Sequence, residues 1–331
     1  MRIVLDAMGS DNHPQPEVLA AIEAAKRFGD EILLVGQEEK LTPLLAEYGM
    51  GKLPITIVHA PEIFEMSDKI SGSSLRRAKN SMGVGMDFLK NGEADAFVSA
   101  GNTGGVMAFG LTRLGRIKGL KQRPALCAMI PVKGGRAVIT DIGANAECKP
   151  EMLVQFAKMG AIYARKALGV SNPRVGIISN GEEAGKGNDL VKATYPLLEE
   201  SGLNFYGNVE SKELFGGEVD VAVTDGFTGN VLIKTSEAVA KLLTDQLRTH
   251  ITSSLMTSIG GALAKPAFNK LKKDLDPAEI GAAPLLGLNG LVFVGHGRSN
   301  ALALFNAIIK ARQAVEANLL QDLREAILAD F

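Results

Sequence analysis

The first 36 residues, Met1–Gly36, read MRIVLDAMGSDNHPQPEVLAAIEAAKRFGDEILLVG and set the pattern for the whole chain. A short apolar run, Arg2–Leu5 (RIVL), leads into a loop rich in Asp and Gly. A helical segment follows, and then a second run, Ile32–Val35 (ILLV). Pro16 can occupy the first turn of that helix, whose apolar face is Val18, Leu19, Ile22 and Phe28 and which ends near Gly29. Strand, loop, helix, strand is the repeating unit of a parallel sheet.

The same alternation continues. Further short runs lie at Ile55–Val58, Ala96–Ser99, Ala125–Pro131, Ala137–Thr140, Val175–Ser179, Asn204–Tyr206, Val219–Thr224 and Leu291–Val294. Their apolar character on both faces marks buried, largely parallel strands. Two runs, near 125–131 and 137–142, are too close for a crossover helix, and Gly134-Gly135 between them reads as a hairpin turn. The expected fold is therefore α/β: a doubly wound, mostly parallel sheet with one antiparallel hairpin. Pro150 opens a second clear helix, which ends at Gly169. No repeat, low-complexity tract or linker interrupts the pattern, so residues 1–331 read as one α/β unit in one or two lobes.

Composition narrows the class. The 331 residues carry 36 Lys plus Arg against 37 Asp plus Glu, a formal net charge of -1, which argues against a general nucleic-acid binder. Two cysteines, Cys127 and Cys148, make no disulfide framework and fit a reducing compartment. The N-terminus lacks the apolar core of a signal peptide, and no apolar run reaches the ~18 residues that a spanning helix needs. A soluble cytoplasmic protein is expected.

In an open parallel sheet, ligands bind beyond the carboxyl ends of the strands. Here the loops in those places are Asp6–Asp11, Ala100–Gly105, Asp141–Asn145 with Lys149-Pro150, Asn180–Asn188, Asp225–Asn230 and Gly295–Asn300. Each mixes Gly with Asn, Thr, Ser, Lys or Asp just ahead of a helix. Glycine lets the backbone approach a ligand, and first-turn N–H groups attract an anion. Any one loop is equally good turn and cap chemistry. Six on one edge point to a cleft that binds an oxyanion.

Other readings lack their residues. There is no Walker-type G-x-x-x-x-G-K-[ST] and no G-x-S-x-G elbow. Gly83-Val84-Gly85 lies inside the helical segment 73–91, away from any strand end. His13, His59, His250 and His296 have no metal-ligand spacing, so no metal is expected. Cys148 follows a loop, but no His neighbours it in sequence.

The motifs DAMGSD (6–11), SAGNTGG (99–105), TDIGANAECKPEMLVQFAKMGAIYA (140–164), NGEEAGKGN (180–188), GNVES (207–211), VTDGFTGNVLIKTSE (223–237) and GHGRSN (295–300) occur in this order. Together they resemble the PlsX family of acyl-acyl-carrier-protein:phosphate acyltransferases, from Met1 to about residue 315. Ser10 departs from the glycine expected there, and Glu316–Phe331 matches nothing and reads as a solvated helical tail. The resemblance implies the fold of phosphotransacetylases and isocitrate-type dehydrogenases. It also implies transfer of a fatty acyl group from acyl carrier protein to inorganic phosphate, with no cofactor. The acyl phosphate would then feed a glycerol-3-phosphate acyltransferase in phospholipid synthesis. The segment 284–300 is similar, more loosely, to the closing stretch of phosphotransacetylases, and points to His296, Arg298 and Ser299.

On that reading Asn102, Thr103 and the N–H groups of Gly104-Gly105 cradle phosphate, beside Gly9 and Gly101. Lys149, Lys186 and Arg298 supply counter-charge. Asn145, Asn188, Asn230 or His296 donates to the thioester oxygen, which gains charge in the transition state. Asp6, Asp141 and Asp225 orient these groups. Two rivals stand against it: a nicotinamide-dependent dehydrogenase, with Asp141, Asp220 and Asp225 as its only loose metal ligands, and a non-catalytic docking module for carrier protein or membrane.

Two basic clusters suit an acidic carrier protein: Arg76, Arg77 and Lys79, and Arg113, Arg116, Lys118, Lys121 and Arg123. From Arg248 to about 276 an amphipathic helical hairpin is expected, bent at Gly260-Gly261 and Pro266. Its stripe, Ile251, Leu255, Ile259 and Leu263, continues through Phe268 beside Lys270, Lys272 and Lys273. Periodicity fits either a dimer-packing hairpin or a pair of helices on anionic lipid. The resemblance, which implies peripheral attachment at the inner face of the cell membrane and a homodimer, favours lipid.

Overall fold

The computed structural model describes residues 1–49, 51–68, 75 and 79–330. Arg76 and Arg77 of the first basic cluster, and much of the start of segment 73–91, lie outside the described residues.

Among the described residues eleven strands form one sheet: β1 (Arg2–Asp6), β2 (Glu31–Gly36), β3 (Ile55–His59), β4 (Ala96–Ser99), β5 (Ala125–Val132), β6 (Gly135–Thr140), β7 (Arg174–Ile178), β8 (Asn204–Val209), β9 (Val221–Val223), β10 (Ala283–Leu286) and β11 (Leu291–Val294). Their spatial order is β3-β2-β1-β4-β11-β10-β5-β6-β9-β7-β8. The pairs β1–β2, β2–β3, β1–β4, β4–β11, β6–β9, β7–β9 and β7–β8 are parallel. Only β10–β11, β10–β5 and the β5–β6 hairpin are antiparallel, so the expected mostly parallel α/β sheet is present.

These three antiparallel pairings follow one another in the middle of the sheet. An odd number of reversals turns the strands beyond them around. β6, β7, β8 and β9 therefore run opposite to β1–β4 and β11. The expectation that all six glycine-rich loops share one edge fails for this reason. Asp6–Asp11, Ala100–Gly105 and Gly295–Asn300 leave the sheet in one direction; Asp141–Asn145, Asn180–Asn188 and Asp225–Asn230 leave it in the other.

Helices cover both faces. Helix Gln15–Phe28 buries Val18, Ala21, Ile22 and Ala25, and Gly29 ends it in the left-handed conformation at φ 69°. Helix Pro150–Leu168 buries Leu153, Phe156 and Ala157. The final helix, Leu319–Asp330, is not the solvated tail expected. Leu319, Leu323 and Ile327, spaced four apart, are each about 1% exposed within the main core, and Lys166 pairs with Asp322 at 2.7 Å.

The hairpin also differs from expectation. Its first arm, Gly226–Ile251, begins far upstream of Arg248, and the turn falls at Thr252–Ser254. The second arm, Leu255–Leu275, runs unbroken through Gly260, Gly261 and Pro266. Ile251 packs on Gly261, where a Cβ would lie 2.2 Å from its Cγ2, so it serves the hairpin rather than its surface. Leu255 and Leu263 are each 81% exposed and Ile259 is 57%, whereas Phe268 is half-buried. No helix among the described residues is long and apolar enough to cross a membrane.

Candidate active site

The first loop set is knitted together from three strand ends. Asp6 is fully buried and accepts from the Met8 N–H at 3.0 Å and from Ser99 Oγ at 2.6 Å. Ser99 Oγ accepts in turn from the Gly101 N–H at 3.0 Å. Burial pushes the Asp6 carboxyl above its ordinary range, while these donors pull the other way. Gly9 sits against this pair: a Cβ there would lie 2.8 Å from both Asp6 Oδ2 and the Gly101 nitrogen. The Asp11 N–H donates to the Gly297 carbonyl at 2.7 Å, and the Gly295 N–H to the Ser99 carbonyl at 2.8 Å.

Helix Thr103–Arg113 starts inside this cluster. Its cap is Asn102, whose Oδ1 accepts from the Gly105 N–H at 2.9 Å and whose Nδ2 donates to the Met66 carbonyl at 2.8 Å. Both ends of the Asn102 amide are thus occupied, and so is the Gly105 N–H expected to meet phosphate. The N–H groups of Thr103, which is half-buried, and Gly104, which is exposed, have no protein acceptor among the described residues. Ser299 is buried, its N–H held by the His296 carbonyl at 2.9 Å.

The second loop set centres on Asp141. Its carboxylate accepts from the Leu126, Ile142, Ala144 and Asn145 N–H groups and from Asn145 Nδ2, at 2.6–3.2 Å. Burial raises its pKa and these five donors oppose that rise. The Asn145 amide nitrogen is spent on Asp141 and on the Pro124 carbonyl at 2.8 Å, so Asn145 braces the turn and has no N–H left for a substrate. The Gly226 N–H donates to the Asn145 carbonyl at 2.8 Å, docking the long helix Gly226–Ile251 on this turn. Asp225 caps that helix through the Thr228 N–H and hydroxyl, both at 2.8 Å. Gly229 lies so close that a Cβ would sit 2.0 Å from the Asp141 carbonyl oxygen.

Beside that turn, Asn230 stands next to Gly143 with no hydrogen bond from its side-chain amide among the described residues, and Lys149 is exposed at the start of its helix. Asn188 caps helix Asp189–Glu199 by accepting from the Val191 N–H at 2.9 Å. Lys186 is exposed on the same loop, which is tied to β8 by Asn208 Nδ2 donating to the Glu183 carbonyl at 2.7 Å. No hydrogen bond or ion pair among the described residues joins Lys186 or Asn188 to the other candidates.

One element links the two sets. Glu237, on the long helix, accepts from Arg298 Nη2 at 3.2 Å and lies 3.6 Å from His296 Nε2. Asn230, Lys234, Glu237 and Lys241 recur at helical spacing and form one polar stripe. Seven residues at a rise of ~1.5 Å put Asn230 about 10 Å from Glu237 along the axis.

The family follows from this chain's full length. The fatty acid synthesis protein model matches residues 1–322. The chain belongs to that family, the PlsX family anticipated by its motifs. A phosphate acyltransferase from Elusimicrobium minutum is 46% identical over 99% of the chain and 96% of its own length. One from Geobacter sulfurreducens is 44% identical over 100% and 95%. Among solved structures, a Streptococcus pyogenes phosphotransacetylase aligns over 96% of this chain and 94% of its own, at 18% identity and TM-score 0.62. A branched-chain phosphotransacylase from Enterococcus faecalis V583 covers 95% and 99%, at 13% identity and TM-score 0.56. Those two show the fold.

Sequence reading did not single out Ser99, which joins Asp6 to Gly101, or Lys234 and Glu237 of the polar stripe, of which Glu237 holds Arg298. Lys234 and Glu237 were legible as an Asn230-x-x-x-Lys234-x-x-Glu237 stripe, had the segment been read as helix. The carboxylates of the dehydrogenase rival are engaged elsewhere. Asp141 sits in its cage of donors, Asp225 caps a helix, and Asp220 pairs with Arg174 at 3.1 Å. A fourth acidic group, Glu182, Glu210 and Glu213, surrounds Lys212 Nζ at 2.7–3.3 Å.

Proposed function

We propose that this chain transfers a fatty acyl group from the thioester of acyl carrier protein to inorganic phosphate. It is an acyltransferase of the PlsX family. The observation that carries the reading is 46% identity to a phosphate acyltransferase, sustained over 99% of the chain and so through both loop sets.

The geometry supports a direct attack. A phosphate oxygen bonds to the carbonyl carbon, the C–S bond breaks, and the carrier thiol leaves with the proton that phosphate gives up. Phosphate is held at the free N–H groups of Thr103 and Gly104, with Arg298 and His296 alongside. The Asn230 amide donates to the carbonyl oxygen as charge gathers there. Lys149 and Lys186 add positive potential from the second edge. Asp6, Asp141 and Asp225 position loops and act on no proton. Neither cofactor nor metal enters the reaction.

Carrier protein docks on Arg116, Lys118, Lys121 and Arg123, all exposed on one loop. That loop ends at Pro124, whose carbonyl is held by Asn145, so the dock is tied to the second loop set. Arg113 belongs elsewhere, since it is half-buried and paired with Asp87 at 2.9 Å. The exposed apolar residues of the helical hairpin, beside Lys265, Lys270, Lys272 and Lys273, lie on the anionic inner face of the membrane, and the chain works as a homodimer. A glycerol-3-phosphate acyltransferase consumes the product.

The test is to mix the protein with hexadecanoyl carrier protein and phosphate, and to trap acyl phosphate with hydroxylamine. Hydroxamate that depends on both substrates is expected. Thiol release without phosphate dependence, or no hydroxamate, overturns the reading.

A further inference from the structure

Alongside the polar stripe of the long helix runs an apolar groove of about 620 Å³, within the ~300–1,000 Å³ usual for small-molecule sites. It begins at Gly143 and Phe227 and ends at Val239 and Leu242, passing Val231 and Ala238. Its polar lining is confined to Asn230, Lys234 and Thr235, towards the end where the long helix starts. Phe227 is 67% exposed in it and Leu242 57%.

We propose that this groove binds the fatty acyl chain of the substrate, carbonyl end at Asn230 and methyl end at Leu242, and that Ala238 sets the accepted chain length. The proposal rests on the acyltransferase reading and adds to it the site of the chain. Three observations support this occupant. The groove opens beside the Asn230 amide, where the reading puts the thioester oxygen. Its polarity falls away from that point, as a carbonyl with an alkyl tail requires. From Asn230 to Leu242 the helix rises about 18 Å, the length of an extended chain of about fourteen carbons. The Lys234 stem can lie over the chain while its ammonium stays in water.

The chain contains no tryptophan, so Leu242→Trp at this exposed position gives a single reporter. Hexadecanoic acid brominated at carbon 16 should quench it at least about threefold more than the acid brominated at carbon 2. Equal quenching, the reverse order, or no quenching overturns the proposal. So does loss of a dimer on making Leu242→Trp with no quenching, which gives the groove to a second copy. Ala238→Trp closes the groove about 12 Å beyond Asn230. Each methylene shut out is worth about fourfold in affinity. Turnover efficiency on hexadecanoyl carrier protein should fall at least about thirtyfold, and on hexanoyl carrier protein by less than about threefold. Equal losses on both, or none on either, overturn it. Wild-type protein that forms acyl phosphate from no chain length removes the acyltransferase reading, whereas the bromine pattern still judges the groove.

Discussion

Ser99 Oγ donates a 2.6 Å hydrogen bond to Asp6 Oδ2, joining two strand ends 93 residues apart in sequence. The same oxygen holds the Gly101 N–H, so one hydroxyl sets the spacing between the first and second loops of the candidate phosphate site. Ser99→Ala leaves a buried carboxylate oxygen without its donor, at a cost of about 1–3 kcal/mol. Chemical denaturation should show that loss, and the KM for phosphate should rise several-fold.

Glu17 is buried in the first turn of its helix, where Oε1 accepts from the Ser10 N–H at 3.1 Å and Oε2 has no hydrogen-bond partner among the described residues. Burial pushes its pKa from 4.5 to about 7, and neighbouring Asp6 adds to the rise. With the folded pKa raised, the stability that protonated Glu17 contributes is whole below pH 4.5 and lost as pH climbs to about 7. Glu17→Gln keeps the neutral form at every pH. The variant should match wild type near pH 4.5 and exceed it above pH 7 by about 3 kcal/mol. Denaturation at a series of pH values measures this; parallel curves would refute it.

No acyl-enzyme should form. Cys127 is fully buried and its thiol is driven far up by burial; burial likewise pushes Cys148 up to about 12. Neither is a thiolate at neutral pH. Cys127→Ser and Cys148→Ser should each keep most activity apart from packing losses. Mass spectrometry after mixing with acyl carrier protein, phosphate omitted, should find no acylated peptide.

Charge reversal at Lys118 and Lys121 tests the dock without disturbing Arg116, which donates to the Lys121 and Gln122 carbonyls at 2.7 and 3.1 Å. The KM for acyl carrier protein should rise about tenfold at low salt and much less at high salt, with kcat steady. A salt-independent KM would move the dock elsewhere.

Leu255→Glu with Leu263→Glu should abolish co-sedimentation with anionic vesicles and leave the melting temperature unchanged, because both side chains are 81% exposed. Each is worth roughly 1.5–3 kcal/mol when taken out of water. Loss of the dimer, with vesicle binding intact, would assign the stripe to subunit packing instead.

Strand runs were legible because buried parallel strands are apolar on both faces, and ten of the runs became strands. β10 was missed: Ala283–Leu286 is four residues with a proline, a signal too short to stand out. The start of the long helix was missed for a different reason. Gly226, Thr228, Gly229 and Asn230 carry loop chemistry, and only docking against the Asp141 turn makes them helical. The direction in which each glycine-rich segment leaves the sheet depends on which strand neighbours which. Nothing local in β6 or β9 reveals that they lie beyond three antiparallel pairings. Asn102, Asn188 and Asp225 show the other limit: capping and catalysis ask for the same residue types, and here each one caps.

The placement of β10 and β11 bears on how the molecule is made. These strands come from residues 283–294, yet they sit between β4 and β5 at the centre of the sheet. During synthesis the first 280 or so residues emerge with both of those strands unpaired on the side that β10 and β11 will fill. Two half-sheets must wait, each with an open hydrogen-bonding edge, for a late insert that closes both at once. At about 5–20 residues per second that wait lasts many seconds. Open edges recruit other chains, so crowding on polysomes should lower the share of chains that reach the native state.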